Sequence, residues 1–94
     1  MSDKILYLIQ SEYHHTDQIL NQLLQLYTDQ DHVVLTGDSV LFVDDLRLQD
    51  KQNLYVLEND AEILVQALPA HILSISYAQF ADLVLNFRRC VSLK

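Results

Sequence analysis

The sequence predicts an α/β domain with a mainly parallel sheet of four or five strands and helices on both faces. Four short apolar runs alternate with segments of helical periodicity, which is typical of parallel strands joined by crossover helices. The first three runs are nearly continuous in apolar residues, as expected for strands covered on both faces. A chain of 94 residues is expected to form a single domain, residues 1–94.

The predicted strands are short and rich in branched apolar residues. They are Lys4–Ile9, His32–Thr36, Asn53–Glu58 and Ile72–Ser76. The final VSLK is a candidate for a short edge strand.

Two helices are predicted between these strands from apolar spacing. The first has Thr16 placed to cap its start. Its apolar face consists of Ile19, Leu20, Leu23, Leu24 and Tyr27. The second has Asn59 as the capping residue, Glu62 as its reciprocal partner, and Pro69 shortly after its end. Its apolar face consists of Ala61, Leu64, Val65 and Leu68.

The last helix has the clearest local signals. Ser76 and Gln79 match the S-x-x-Q capping box, and Ile75 with Phe80 matches the hydrophobic staple. Its apolar face consists of Phe80, Leu83, Val84 and Phe87, at helical spacing.

The stretch HVVLTGDSVLF contains the only glycine of the chain, Gly37, between a strand and a short predicted helix. Phosphate loops need G-x-x-x-x-G-K-[ST] and dinucleotide sites need G-x-G-x-x-G, and neither pattern is present. Asp38 would also repel a phosphate. The favoured interpretation is a structural turn in which Asp38 or Ser39 caps the short helix. A flavodoxin-like module that binds flavin or nucleotide at this turn remains the alternative.

The amino-acid composition argues against several classes of function. Thirteen acids against six Lys and Arg give a net charge of −7, and the only basic cluster is Arg88-Arg89. These numbers argue against direct nucleic-acid binding and against an anionic membrane surface. The apolar run Ile5–Ile9 is too short for a signal peptide or a membrane span, so a cytoplasmic protein is expected. Because half of the residues are apolar, we expect part of the surface to face a partner subunit.

No metal or cofactor is predicted. The histidines lack zinc-ligand spacing, and the loop acids are expected to be solvated. These histidines are His14, His15, His32 and His71, and the acids are Asp29, Asp31, Asp44, Asp45 and Asp50.

Cys90 is the single cysteine and the one candidate nucleophile. Arg88 and Arg89 precede it and favour the thiolate. Its predicted position at the end of the last helix disfavours the thiolate, because the helix dipole is negative there. The favoured interpretation is therefore a bystander thiol, with a reactive thiol as the alternative.

Four stretches carry a family resemblance through their order and spacing. They are ILYLIQSEYHHTDQILNQLL, HVVLTGDSVLF, YVLENDAEILVQAL and ILSISYAQFADLVL. The third contains the pattern Y-x-L-x-x-D at Tyr55, Leu57 and Asp60, and the fourth places Tyr77 and Phe80 after the closing strand. Together they resemble the TusB/DsrH family of sulfur-relay subunits over nearly the whole chain.

The resemblance implies a DsrEFH-like domain and a non-catalytic structural subunit of a heterohexamer, arranged as a dimer of heterotrimers. The partners implied are two sister subunits resembling TusC and TusD, one of which holds the persulfide cysteine. Such a complex takes sulfur from a TusA-like donor and passes it to a TusE-like acceptor. The sulfur then forms 2-thiouridine at the tRNA wobble position. A DsrEFH-type role in dissimilatory sulfur oxidation, or a persulfide carrier acting through Cys90, is the alternative.

The chain also departs from the family pattern. Relatives commonly have Asp-Gly at the second turn, where this chain has Asp38-Ser39 with Gly37 one place earlier. Some relatives carry a cysteine in the first helix, and Leu20–Gln22 contains none. Cys90 matches no family cysteine, so no catalytic residue is carried over. The missing first-helix cysteine favours the tRNA branch.

Overall fold

A computed structural model describes residues 4–94, so Met1–Asp3 of the predicted domain lie outside the described residues. The strands are β1 (Ile5–Ile9), β2 (His32–Leu35), β3 (Leu54–Leu57), β4 (Ile72–Ile75) and β5 (Arg89–Leu93). The α-helices are α1 (Tyr13–Leu26), α2 (Glu58–Ala61) and α3 (Tyr77–Leu85). Two 3-10 helices, Gly37–Phe42 and Leu46–Leu48, connect β2 to β3.

All strands of the described chain pair in parallel, in the order β4-β3-β2-β1-β5. The central strand β1 lies between β2 and β5, with Ile9 opposite both Leu35 and Leu93. The predicted α/β class and parallel sheet are therefore confirmed. β5 is the fifth strand that the final VSLK run indicated, and it begins earlier, at Arg89.

One face of the sheet, called here the α1 side, carries the larger core. Leu20 and Leu23 of α1 pack there against the sheet side chains, and Val40 and Leu48 from the two 3-10 helices complete the layer. Each of these four side chains is fully buried. The apolar spacing that predicted α1 therefore corresponds to its buried face.

The opposite face, called here the α3 side, has a smaller core. Its buried members are Leu6, Val34, Leu57 and Ile75. The residues that predicted α3 cover them, since Phe80, Leu83, Val84 and Phe87 are partly buried against this cluster. No residue of α3 is fully buried. Within the described chain, this one helix provides the cover on the α3 side, and Leu73 of β4 remains exposed there.

The start of α3 has the predicted local structure. The Ser76 hydroxyl accepts from the Gln79 amide at 3.1 Å, and the Gln79 side chain accepts from the Ser76 amide at 2.8 Å. Ile75 and Phe80 belong to the same apolar cluster, as the staple requires.

The predicted cap of α1 is wrong. The helix begins at Tyr13 with Glu12 in the capping position, and Thr16 lies one turn inside it. The Thr16 hydroxyl donates to the Glu12 carbonyl at 2.8 Å and is fully buried. A threonine whose hydroxyl bonds back to the preceding turn is compatible with the helix interior, and the capping preference alone does not distinguish the two positions.

The predicted helix through Ala61–Leu68 is wrong beyond its first turn. α2 ends at Ala61, Leu57 precedes it as the cap, and Asn59 lies inside the turn. Leu64 and Leu68 still pack against the core of the α1 side. Val65 is 100% exposed, so the apolar spacing does not mark one helix face. A segment this short, ended by Pro69, depends on tertiary packing for its structure.

Among residues 4–94, no helix combines the length and the apolar character needed to cross a membrane.

Asp31 connects the loop after α1 to the first strand. Its side chain accepts from the Ile5 amide at 2.9 Å, and from the amide and the hydroxyl of Thr28 at 2.9 and 3.1 Å. The residue is 2% exposed, so the expectation of a solvated acid is wrong here. Asp29, two places earlier, is exposed as expected.

Replacing Asp31 with alanine is expected to lower the free energy of unfolding by about 1–3 kcal/mol, because it leaves the Ile5 and Thr28 amides without their acceptor. Urea denaturation followed by circular dichroism measures the change. Asp29→Ala, at the exposed neighbour, is the matched control and should change stability by less than about 0.5 kcal/mol. Equal losses for the two variants would contradict this role of Asp31.

Candidate functional site

The glycine turn lies at the carboxyl end of β2, where parallel sheets commonly place ligand sites. Its polar groups are directed at one acceptor, the Ile9 carbonyl at the end of β1. That oxygen accepts from the Thr36 amide at 3.0 Å, from the Thr36 hydroxyl at 2.9 Å and from the Ser39 hydroxyl at 3.1 Å. The Ser39 hydroxyl also accepts from the Thr36 amide at 3.0 Å. The turn is therefore tied to the neighbouring strand.

Thr36 precedes the 3-10 helix as its capping residue. The prediction that Asp38 or Ser39 fills this position is wrong, and the short predicted helix is of the 3-10 type. Ser39 is instead the fully buried residue that holds the turn closed. Asp38 is exposed.

Gly37 adopts a left-handed conformation, with φ at 57°, which explains why the single glycine of the chain stands here. Its amide donates to the Asp60 carboxylate at 3.0 Å. In a phosphate site, such an amide would face the anion. Here a carboxylate of the same chain occupies that position, and Asp38 adds a second negative charge beside it. The geometry favours a structural turn over an anion site.

A pair of buried hydroxyl groups lies close to the end of β1. The hydroxyls of Ser11 and Thr16 are 2.8 Å apart, and both residues are buried. The spacing of these two residues in the sequence does not predict the contact. Only the tertiary approach of the two side chains reveals the pair.

His32 lies in an aromatic cluster on the α3 side. Its Nδ1 is 2.9 Å from the Tyr55 hydroxyl, its ring stacks on Tyr55 at 5.8 Å between centroids, and the edge of Phe87 approaches it at 4.9 Å. Burial lowers the pKa of His32, and the nearby Lys4 lowers it further. The cluster joins the start of β2 to the end of α3, so the neutral imidazole acts as a packing group.

The other histidines occupy separate places. His14 and His15 are exposed in the first turn of α1 rather than ahead of it, with ring centroids 4.3 Å apart. The His71 Nε2 donates to the Leu48 carbonyl at 2.9 Å, beside a cleft of about 340 Å³. That cleft is lined by Val43, Asp44, Gln49, Pro69 and His71. Within the described part of the chain, no three His, Cys, Asp or Glu side chains are grouped as metal ligands.

Arg47 anchors the second 3-10 helix to α1. Its guanidinium donates to the Asp45 carboxylate at 2.8 Å and to the Asp17 carboxylate at 2.8 Å. The hydrogen bond from Arg47 lowers the pKa of Asp45 and raises that of the arginine. Asp45 is half-buried, whereas Asp44 and Asp50 are exposed as predicted for loop acids. The loop acids are thus divided between solvent and structural pairs.

Cys90 is exposed and lies in β5, opposite Leu6 of β1. Its predicted position at the end of the last helix is wrong, because α3 ends at Leu85 and the chain then enters a strand. The negative end of the helix dipole therefore does not directly oppose a thiolate here. Arg88 and Arg89 remain its neighbours along the chain. Whether the thiol is reactive stays a prediction.

Comparisons with known proteins agree on family and fold. The family model described as "DsrH like protein" matches residues 10–90. The fold is similar to that in the crystal structure of the ychN protein from E. coli, with a TM-score of 0.61 and 11% sequence identity. That alignment covers 99% of this chain and 100% of the other. No curated protein matches the chain by sequence.

The depressed pKa of His32 predicts a pH-dependent stability. Because the folded state favours neutral imidazole, the unfolded chain binds more protons below its ordinary pKa of about 6.5. The free energy of unfolding should therefore be highest above that pH and should fall as pH decreases through it. Urea titrations at about pH 7.5 and about pH 5.5 measure this difference.

His32→Phe should reduce that difference, since the aromatic ring is kept and the titrating group is removed. His15→Gln, at an exposed histidine of α1, is the control and should keep the wild-type difference. A His32→Phe protein with an unchanged pH dependence would disprove the assignment.

Proposed function

The chain belongs to the DsrH-like family, and on that premise we propose that it is a non-catalytic structural subunit of a heterohexameric sulfur-relay complex. Its partners in the proposal are two sister chains resembling TusC and TusD, and the complex passes persulfide sulfur toward 2-thiouridine at the tRNA wobble position. The observation that carries the structural role is the incomplete cover of the α3 side.

The α3 side leaves large apolar side chains in solvent. Leu73 on β4 and Tyr77 at the start of α3 are each 59% exposed, and Leu85 at the end of α3 is 83% exposed. Leu8, in the central strand, is only partly covered. Leu73 belongs to the sheet itself, and an apolar sheet surface left uncovered is typical of a site on which another subunit packs. A sister subunit packed on this side would bury them.

The polar groups around the glycine turn support a role in assembly rather than in catalysis. The Gly37 amide is occupied by Asp60, and the buried hydroxyls of Ser39 and Thr16 bond within the chain. The sequence contains one cysteine, so the subunit has no second thiol of its own to receive a persulfide. In the proposed complex, the persulfide cysteine belongs to a sister subunit.

The charge of −7 is consistent with sulfur transfer at a distance from the nucleic acid. In this proposal, a TusA-like protein delivers sulfur, a TusE-like protein accepts it, and tRNA is contacted only downstream. The tRNA branch is proposed over DsrEFH-type sulfur oxidation because the first-helix residues Leu20–Gln22 lack the cysteine that some relatives carry. The cytoplasm, where tRNA is thiolated, is the proposed location.

A persulfide carrier acting through Cys90 is the second candidate. One observation favours it. The thiol is exposed on a strand and does not lie at a helix end, and Arg88 and Arg89 precede it in the sequence. Solvent access is one of the conditions for thiol exchange with a donor protein.

Co-expression with the two sister subunits tests the structural role. A tag on this chain should retrieve both sisters, and Leu85→Glu should reduce their recovery about tenfold, because it places a charge in the contact on the α3 side. Val65→Glu is the matched control, since Val65 is fully exposed in the segment that packs on the α1 side. Circular dichroism checks that both variants fold.

Retrieval of neither sister by the wild-type chain would contradict the proposed complex. Equal recovery with Leu85→Glu and Val65→Glu would instead place the subunit contact away from the α3 side.

Cys90→Ser separates the two candidate functions. If this chain is structural, a strain carrying the variant should retain wild-type 2-thiouridine, measured by mass spectrometry of digested tRNA. Incubation of the complex with a desulfurase and cysteine should add no sulfur mass at Cys90. Loss of thiouridine together with a persulfide on Cys90 would establish the carrier function in place of the structural one.

A further inference from the structure

The outer edge of β5 is open. β5 pairs with β1 on one side, and no strand of residues 4–94 lies on its other side. An unpaired strand edge presents amide and carbonyl groups that can bind another extended chain.

The register shows which groups face outward. The Gln10 amide donates to the Leu93 carbonyl at 3.0 Å, so the backbone groups of Leu93 face β1. Alternate residues of a parallel strand direct their backbone groups to opposite sides. Val91 and Arg89 therefore also face β1, and the amides and carbonyls of Cys90 and Ser92 point away from the sheet. Both residues are exposed.

The positive charge of the chain is concentrated at this edge. Arg88 and Arg89 lie at the start of β5 and Lys94 directly follows its end, while Lys4 directly precedes β1. All four are exposed, and Ile5 lies opposite Arg89, so Arg88, Arg89 and Lys4 share one end of the β1–β5 pair, whereas Lys94 lies at the other end. Residues 86–94 contain no acid. An acidic protein thus has one basic strand edge.

The remaining two basic residues form ion pairs elsewhere in the chain. Arg47 pairs with Asp45 and Asp17, and Lys51 lies 3.7 Å from Asp50.

The opposite edge of the sheet, β4, is less suited to strand addition. The Ile72 amide donates to the Pro69 carbonyl at 3.0 Å, and the Ser76 amide donates to the Gln79 side chain at 2.8 Å. The amides at both ends of that strand therefore already have acceptors within the chain. The run Ile72–Ser76 contains no charged residue to select a partner.

We propose that the outer edge of β5 binds an extended acidic segment of a partner polypeptide as an added strand. The backbone groups of Cys90 and Ser92 supply the ladder hydrogen bonds, and Arg88, Arg89, Lys4 and Lys94 select acidic side chains. A peptide fits better than a nucleic acid, because the edge offers alternating amide and carbonyl groups and the chain as a whole repels polyanions. The inference does not depend on the sulfur-relay role.

Binding of synthetic peptides tests this site. The probe is a fluorescent peptide of about eight residues in which valine alternates with glutamate, a length typical of a strand. Anisotropy should show saturable binding that weakens with salt, and the Cys90 and Ser92 amides should become protected from hydrogen exchange. The same peptide with lysine in place of glutamate should not bind.

Two kinds of variant separate charge from backbone pairing. Arg88→Gln with Arg89→Gln should weaken binding about tenfold, since each surface charge contributes up to about 1 kcal/mol. Gln25→Glu with Gln66→Glu is the control, because it makes the same change in net charge at exposed positions of α1 and of the segment after α2. Ser92→Pro removes one outward amide while the hydrogen bonds to β1 are kept, and it should abolish binding.

Several results would overturn the proposal. These are no binding of the acidic peptide, equal binding of the lysine peptide, or protection of other amides only. Displacement of the peptide by a single-stranded RNA oligonucleotide that binds more tightly would assign the edge to nucleic acid. If Ser92→Pro fails to fold, the arginine variants and the wild-type amide protection decide the question.

Discussion

A parallel sheet needs an apolar layer on each of its faces, and this chain provides the two layers unequally. The strands β1 to β4 follow one another across the sheet, and the connections between them supply the α1 side. Only the connection from β4 back across to β5 supplies the α3 side within residues 4–94. One short helix therefore covers strands that would normally be covered by two. The exposure of Leu73 on β4 follows from this topology, and Tyr77 and Leu85 of α3 add further exposed apolar side chains on this side.

The same topology explains the chemistry of the glycine turn. The link between β2 and β3 contains two 3-10 helices in place of a full α-helix, so the chain must reverse tightly directly after β2. Gly37 permits the reversal, and Ser39 and Thr36 direct their hydroxyls to the Ile9 carbonyl. The Asp60 carboxylate then accepts a hydrogen bond from the exposed Gly37 amide, and this bond attaches α2 to the turn. The polar groups of Thr36 and Ser39 and the Gly37 amide thus all have partners within the chain. The aspartate of the Y-x-L-x-x-D pattern thus has a physical role in the fold.

Local sequence predicted the elements whose signals are local. The cap and staple of α3 involve residues three to five places apart, and both are present. The strands β1 to β3 followed from apolar runs that are largely buried on both faces, whereas β4 followed from a run in which Leu73 and Ser74 are exposed. The second predicted helix was wrong because the spacing of Leu64 and Val65 reflects contact of only one of them with the core. β5 was only partly indicated, since Arg89 and Cys90 lack strand-like character and become a strand by pairing with β1. Asp31 and Arg47 carry no sequence signal that separates them from solvated loop residues, because the partners that tie them to other elements, Ile5 and Asp17, lie far along the chain.

The surface of the chain contains two regions of different physical character. The α3 side is apolar and adjoins a thin core, and interfaces of that kind suit permanent assemblies, since separation exposes apolar area to water. The edge of β5 is polar and basic, its backbone groups are solvated when free, and its contacts are weakened by salt. Such an edge suits a transient interaction with a partner protein. A subunit that combines a permanent contact on one side with an exchangeable contact at the edge can hold a complex together while a second protein docks beside it. Cys90 lies at the boundary of the two regions, on the strand that forms the edge and in register with Leu6 of the α3-side core.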